Sequence, residues 1–195
     1  MNNKKLAAIC ALSLTALTGC GSSSTPTAAA PTFADLDLAA STMQAKYTDA
    51  NGDLTVPRAS ELDINAAPNA TYTGYVSGDD AGDTLVGNLT VNADFGAGTA
   101  TNTATGFIHE TDGDYAGILT GGGTILANAP AGVPQISTSL TGDLTDGGGV
   151  IYNMDIALDG DFVADGGDPV GAMAGEATFQ INGGLPSPGT FAAEK

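Results

Sequence analysis

"DTLVGNLTVNADF", residues 83 to 95, alternates almost without a break. Leu85, Gly87, Leu89, Val91, Ala93 and Phe95 fall on one side, and Thr84, Asn88, Thr90, Asn92 and Asp94 on the other. Successive side chains of a β-strand point to opposite faces, so this period of two describes a strand with one dry face and one wet face. "QISTSLTGDL" (135–144) repeats the pattern, setting Ile136, Leu140 and Leu144 against Gln135, Ser137, Ser139 and Asp143. "VIYNMDIALDGDF" (150–162) sets Val150, Tyr152, Met154, Ile156, Leu158 and Phe162 against Asn153, Asp155, Asp159 and Asp161. In "GAMAGEATFQING" (171–183), Met173, Ala177, Phe179 and Ile181 share a face, while Glu176 sits with Thr178, Gln180 and Asn182. The lone carboxylate Glu176 therefore belongs to a wet strand face, and is not read as a buried catalytic acid.

Working outward, eight such runs lie at about 71–77, 84–95, 99–109, 115–126, 135–144, 150–163, 171–182 and 189–194, separated by Gly, Asp, Asn and Pro turn signals. Eight short antiparallel strands are expected to close into an up-and-down barrel, because closure removes the exposed edges. The inward glycines and alanines suit the narrow interior of an eight-stranded barrel. A barrel embedded in lipid would put its apolar face outward and carry aromatic girdles. This chain has no Trp and only five Tyr and six Phe, and it ends in Lys195. The expected class is thus all-β, a soluble eight-stranded antiparallel barrel over residues 70–195.

Ahead of the barrel, Leu36, Ala39, Ala40, Met43 and Tyr47 share one helical face within residues 33–50, which predicts one short amphipathic helix stopped at Asn51-Gly52. Residues 53–69, with Pro57 and Pro68, read as irregular. The chain opens with Lys4 and Lys5, followed by an apolar stretch from Leu6 to Leu17 and then Leu17-Thr18-Gly19-Cys20. That apolar stretch is too short to span a bilayer, which takes about 20 residues. Residues 1–19 read as a lipoprotein signal peptide cut before Cys20, whose acylated thiol anchors the chain in a lipid bilayer. Residues 20–32 read as a small-residue, lipidated flexible tether. Cys10 leaves with the signal peptide, so Cys20 alone remains, and neither a disulfide nor a thiolate metal site can form. Gly21 leaves delivery to the outer membrane open.

Beyond the signal peptide, Lys46, Arg58 and Lys195 face 22 acidic residues, a side-chain balance of −19. Nucleic acid and anionic lipid surfaces are poor partners at that charge, a cationic ligand or basic protein patch fits it, and solubility alone also accounts for it. Asp49 to Asp53 offers the start of a calcium loop but has Leu54 and Ser60 where such a loop needs glycine and a bidentate glutamate, so it reads as a helix-ending turn. Asp159, Asp161, Asp165 and Asp168, with Asp112 and Asp114 nearby in sequence, are the oxygen-rich candidates for loosely held calcium, and acidic glycine turns account for the same residues. No metal and no cofactor is expected. His109 is the one histidine, and no Gly-x-Ser-x-Gly elbow accompanies it, so the sequence supplies no catalytic constellation.

"GAMAGEATFQINGG…GTFAAEK" carries a further signal: Ala174-Gly175 with Ala177 after it, the Asn182-Gly183 turn, and a short final strand. With Gly160 to Phe162 ("GDF") and Ala93 to Thr99 ("ADFGAGT"), residues 70–195 resemble the C-terminal eight-stranded barrel of the surface lipoproteins that include transferrin-binding protein B and factor H-binding protein. The resemblance implies an outer-membrane, surface-exposed lipoprotein that binds an extracellular protein or solute, and not an enzyme. Family ligand contacts lie in variable loops, so no ligand residue carries over. Two other readings stay open: a structural envelope lipoprotein in the periplasm, and a carboxylate-dependent hydrolase.

Overall fold

Each of the eight alternating runs forms a strand. The structure, a computed structural model, describes residues 30–195. Residues 1–29, with Cys20, the expected signal peptide and most of the expected tether, lie outside the described residues. The strands are β1 (Ala70–Asp80), β2 (Asp83–Asp94), β3 (Thr99–His109), β4 (Gly113–Ile125), β5 (Ile136–Thr145), β6 (Ile151–Asp165), β7 (Asp168–Ile181) and β8 (Ser187–Glu194). All neighbours are antiparallel, and β8 returns to β1, with Thr73 opposite Glu194 and Gly78 opposite Gly189. The sheet is a closed barrel without a free edge.

The turns follow from the residues that occupy them. Ala81-Gly82 (φ 56° and 103°) and Gly166-Gly167 (φ 55° and 91°) make two-residue connections with both central residues left-handed. Such turns match the right-handed twist of the flanking strands. Their chain positions, with those of the other connections, define two ends. One end carries the turns after β1, β3, β5 and β7; the other carries the turns after β2, β4 and β6.

Inside, the dry face is filled. Tyr72, Val76, Leu89, Leu119, Leu140, Ile156 and Phe162 are all at most 1 % exposed. The inward glycines are recesses for aromatic rings: Phe107 lies over Gly87, Phe179 over Gly78 and Gly189, and Phe191 over Gly160. A Cβ at any of those glycines would overlap the ring. A bulge at Gly106 (φ 61°) rephases β3, so that Phe107 and His109 turn inward and Ile108 outward. The outward residues of β1 to β5 are mainly Thr, Ser and Asn, the reverse of a barrel that faces lipid.

The N-terminal segment straps the barrel from outside. α1 (Phe33–Tyr47) starts at a capping box, in which Thr32 Oγ accepts the Asp35 N–H (3.3 Å) and Asp35 accepts the Thr32 N–H (3.0 Å). Leu36 and Ala40 pack on the outward Val86 and Ile108. Tyr47 packs on Val163, Ala172, Ala174 and Ala192. These outward apolar residues are the places where strand alternation breaks down, and α1 with the segment after it covers them.

Three features differ from the sequence expectation. Val150, expected on the dry face, is 53 % exposed and precedes β6. Residues 53–69 are not wholly irregular: α2 (Glu61–Ala66) forms behind a second capping box, Ser60 with Asp63, and its Ile64 (1 % exposed) joins the barrel core. Six residues span less than two helical turns, too few for a periodic signal. Gln135 is not on a wet face but 2 % exposed. Its Nε2 donates to the Ala59 carbonyl (2.8 Å) and its Oε1 accepts the Phe162 N–H (3.2 Å). It bolts the segment before α2 to the end of β6.

Candidate functional site

Of the four aspartates considered for calcium, Asp161 and Asp165 are tied to the strap, Asp168 to Lys195, and Asp159 lies exposed on β6. Asp165 lies 2.7 Å from Lys46, which also reaches Glu194 at 2.8 Å. Asp161 lies 2.8 Å from Arg58 Nε, and the Arg58 guanidinium donates to the carbonyls of Pro130 (3.1 Å) and Val133 (2.6 Å). Asp168 lies 2.8 Å from Lys195. Asp159 points outward on β6, opposite Glu176 on β7, and both are exposed. The three basic side chains of the described residues thus each neutralise one of these aspartates. Among the described residues no group of three or more His, Cys, Asp or Glu is placed to hold a metal ion. Glu194 is held below the usual carboxylate range by the hydrogen bond from Lys46 and then by that from Tyr47 (2.6 Å). Asp168 is lowered in the same way, by Lys195 first and then by the Val170 N–H.

The Asp49 turn is closed by backbone donors: Asp49 Oδ1 accepts the N–H groups of Asn51 (2.8 Å) and Asp53 (3.1 Å). His109 has a comparable local task. It is 4 % exposed, and its Nδ1 accepts the N–H groups of Asp112 (3.1 Å) and Thr111 (3.3 Å). That pattern leaves the ring proton on Nε2, which faces Asp80 at 3.6 Å. With its lone pair committed to the turn, the ring clasps the β3–β4 connection and is not a free base. Tyr115 lies tilted against the ring, with centroids 5.9 Å apart, and Tyr152 lies tilted against Tyr115 at 5.2 Å.

Two hollows lie on the outer wall of β1 to β3. Thr71, Asn92 and Thr101 stand side by side across β1, β2 and β3. The next row, Thr73, Thr90 and Thr103, continues in register to Thr120 on β4 and Thr141 on β5. Strand spacing puts neighbours in a row about 4.8 Å apart and successive rows about 6.7 Å apart. A hollow of about 440 Å³ opens over the first row, walled by Asn69, Asp94 and Thr99. A smaller one of about 210 Å³ follows along β1, between Met43 of α1 and Thr73, Tyr75, Asn88 and Thr90. Sequence reading placed Asn88, Thr90, Asn92 and Asp94 on a wet face and gave them no role. The available signal was the run "TATNTAT" (99–105), whose alternate threonines all fall outward.

Comparison with protein-family models, with curated proteins and with solved structures finds no match to this chain.

Proposed function

We propose that this protein is a lipid-anchored binding module of the outer membrane, displayed at the cell surface, which takes its partner on the outside of the barrel. The observation that carries this reading is the filled interior: with Leu89, Leu119, Leu140 and Phe162 at most 1 % exposed, the barrel leaves no room for a small molecule to be carried inside. Recognition then falls to the outer wall and the turns. The lipobox at Leu17 to Cys20 and the resemblance to the barrels of transferrin-binding protein B and its relatives support the same reading. An enzymatic role finds no support in the one imidazole, which is spent on a turn, or in carboxylates paired with the only cations of the described residues.

Protease treatment of intact cells, with lysed cells as control, tests the reading. Loss of the protein from intact cells is the expected result. Protection until lysis would move it to the periplasm and favour a structural envelope role.

A further inference from the structure

We infer that the barrel end formed by the turns after β1, β3, β5 and β7 docks a basic protein surface, one whose apolar centre is ringed by lysine and arginine. This rests on the reading of the barrel as a module that binds on its outside, and it names the face and the chemistry of the partner.

The face begins with an exposed aliphatic patch. In the register of β4, β5 and β6, Ala116, Thr145 and Ile151 form one outward row. In the next row, the pairs Gly117–Leu144 and Thr120–Thr141 bring Ile118 beside Asp143, which itself lies opposite Asn153. Ile118 is 60 % exposed, Ile151 62 %, and Val150, just before β6, 53 %. Strand spacing puts Ile118 and Ile151 about 12 Å apart. Leu185, 93 % exposed, stands on the turn after β7 at the same end. Single aliphatic residues are ordinary on a surface. Three grouped at one corner of a wall otherwise faced with Thr, Ser and Asn suit the core of an interface.

Charge then says what covers the patch. Both ends of the barrel are built of turns, so the preference of aspartate for turns would load them equally. They are not loaded equally. Asp79, Asp80 and Asp83 flank the turn after β1, and Glu110, Asp112 and Asp114 the turn after β3. Asp143 and Asp146 border the aliphatic patch itself, and Asp146 Oδ1 accepts the Val150 N–H (2.8 Å). At the opposite end Asp94, Asp165 and Asp168 flank the turns after β2 and β6, and the connection from Leu126 to Gln135 has no carboxylate. The three cations of the described residues all belong to that opposite end. Lys46 is paired with Asp165, Lys195 with Asp168, and Arg58 with Asp161 and the Pro130 carbonyl. The patch-bearing end therefore collects the acids of three turns with no lysine or arginine among the described residues to offset them. Asp80 even stands directly opposite Asp83 across β1 and β2, an unfavourable pairing. A second copy of this chain would set acid against acid at this face. A basic partner relieves that repulsion and covers the aliphatic side chains in the same step.

Titration calorimetry of the full-length protein, purified in neutral detergent, tests the inference. Cytochrome c, whose exposed apolar haem edge is ringed by lysines, is the probe with the stated chemistry, and polylysine is the probe with charge alone. Cytochrome c is expected to bind at about 0.02 M salt and several-fold more weakly at about 0.15 M. Ile118→Thr/Ile151→Thr keeps β-branched side chains on the strands; it weakens cytochrome c about tenfold and leaves polylysine unchanged. Asp114→Asn/Asp143→Asn weakens cytochrome c at least fivefold more than Asp94→Asn/Glu176→Gln, which removes the same charge away from this end. Thermal melting of each variant identifies any loss due to misfolding. No binding of cytochrome c at low salt, an unaltered affinity in the folded isoleucine variant, or equal effects of the two charge variants overturns the inference. Binding kept by every variant of this end would move the partner to another face of the same module, and no outcome bears on the protease test.

Discussion

Ala81 occupies a position made for glycine or asparagine. Its φ of 56° is left-handed, and a β-carbon there costs roughly 1 kcal/mol because it crowds the following carbonyl. Ala81→Asn keeps the turn and relieves that cost, so the variant should unfold at higher denaturant concentration by about 0.5–1 kcal/mol. A fall in stability would mean that the turn has another geometry. Gln135 is the opposite case, a polar side chain whose two ends are used in a buried place. Gln135→Leu keeps the bulk but strands the Ala59 carbonyl and the Phe162 N–H, at a cost of about 2–4 kcal/mol in a denaturant titration. An unchanged midpoint would show that water replaces the amide.

At the scale of elements, the strap is the joint whose strength depends on acid. Glu194 accepts from both Lys46 and Tyr47, and its native pKa is depressed. A depressed carboxylate stabilises the fold above its unfolded pKa, near 4.3, and that contribution is lost as pH falls through the lower native value. Asp168, held down by Lys195, loses its contribution in the same direction. Glu194→Gln should therefore flatten the fall in melting temperature as the pH drops below about 4.3, relative to the unaltered protein. Equal slopes would remove the Lys46–Glu194 contact from any part in stability. The comparison with the variant is needed because acid also relieves repulsion among the other carboxylates. The strap also shows where the sequence was legible and where it was not. Period-two alternation located all eight strands to within three residues, because each inward face must be dry and each outward face wet. The outward apolar residues Val86, Ile108, Ala172, Ala174 and Ala192 carried information too, since they mark where α1 and its following turn lie. Only tertiary contact makes that visible. The outer-wall hollows were legible as wet positions only, because their walls come from strands whose register sequence does not fix.

The whole molecule is governed by charge. The described residues carry 22 acids against three bases, and all three bases are paired. The unpaired excess repels itself across the compact barrel more strongly than across an unfolded chain. Salt should thus raise the melting temperature: from about 0.01 M to 0.15 M the screening length falls from about 30 Å to about 8 Å. A lowered melting temperature would mean that the four short ion-pair contacts outweigh the excess. The same excess keeps copies of the barrel apart, and closure of the sheet leaves no edge for them to join.

α1 also determines how the molecule answers a pull. Phe33 lies near the end that carries the turn after β3, by Ile108, and Tyr47 is fastened at the other end to Glu194. A load applied at residue 30 reaches the first helical turn before anything else, and it peels Leu36 and Ala40 from the barrel one contact after another. Lys46 and Tyr47 meet the load last. Fifteen helical residues then lengthen from about 22 Å to about 50 Å, while every strand stays paired. The strap is a mechanical fuse in series with the barrel: it yields first, takes up slack, and spares the paired strands.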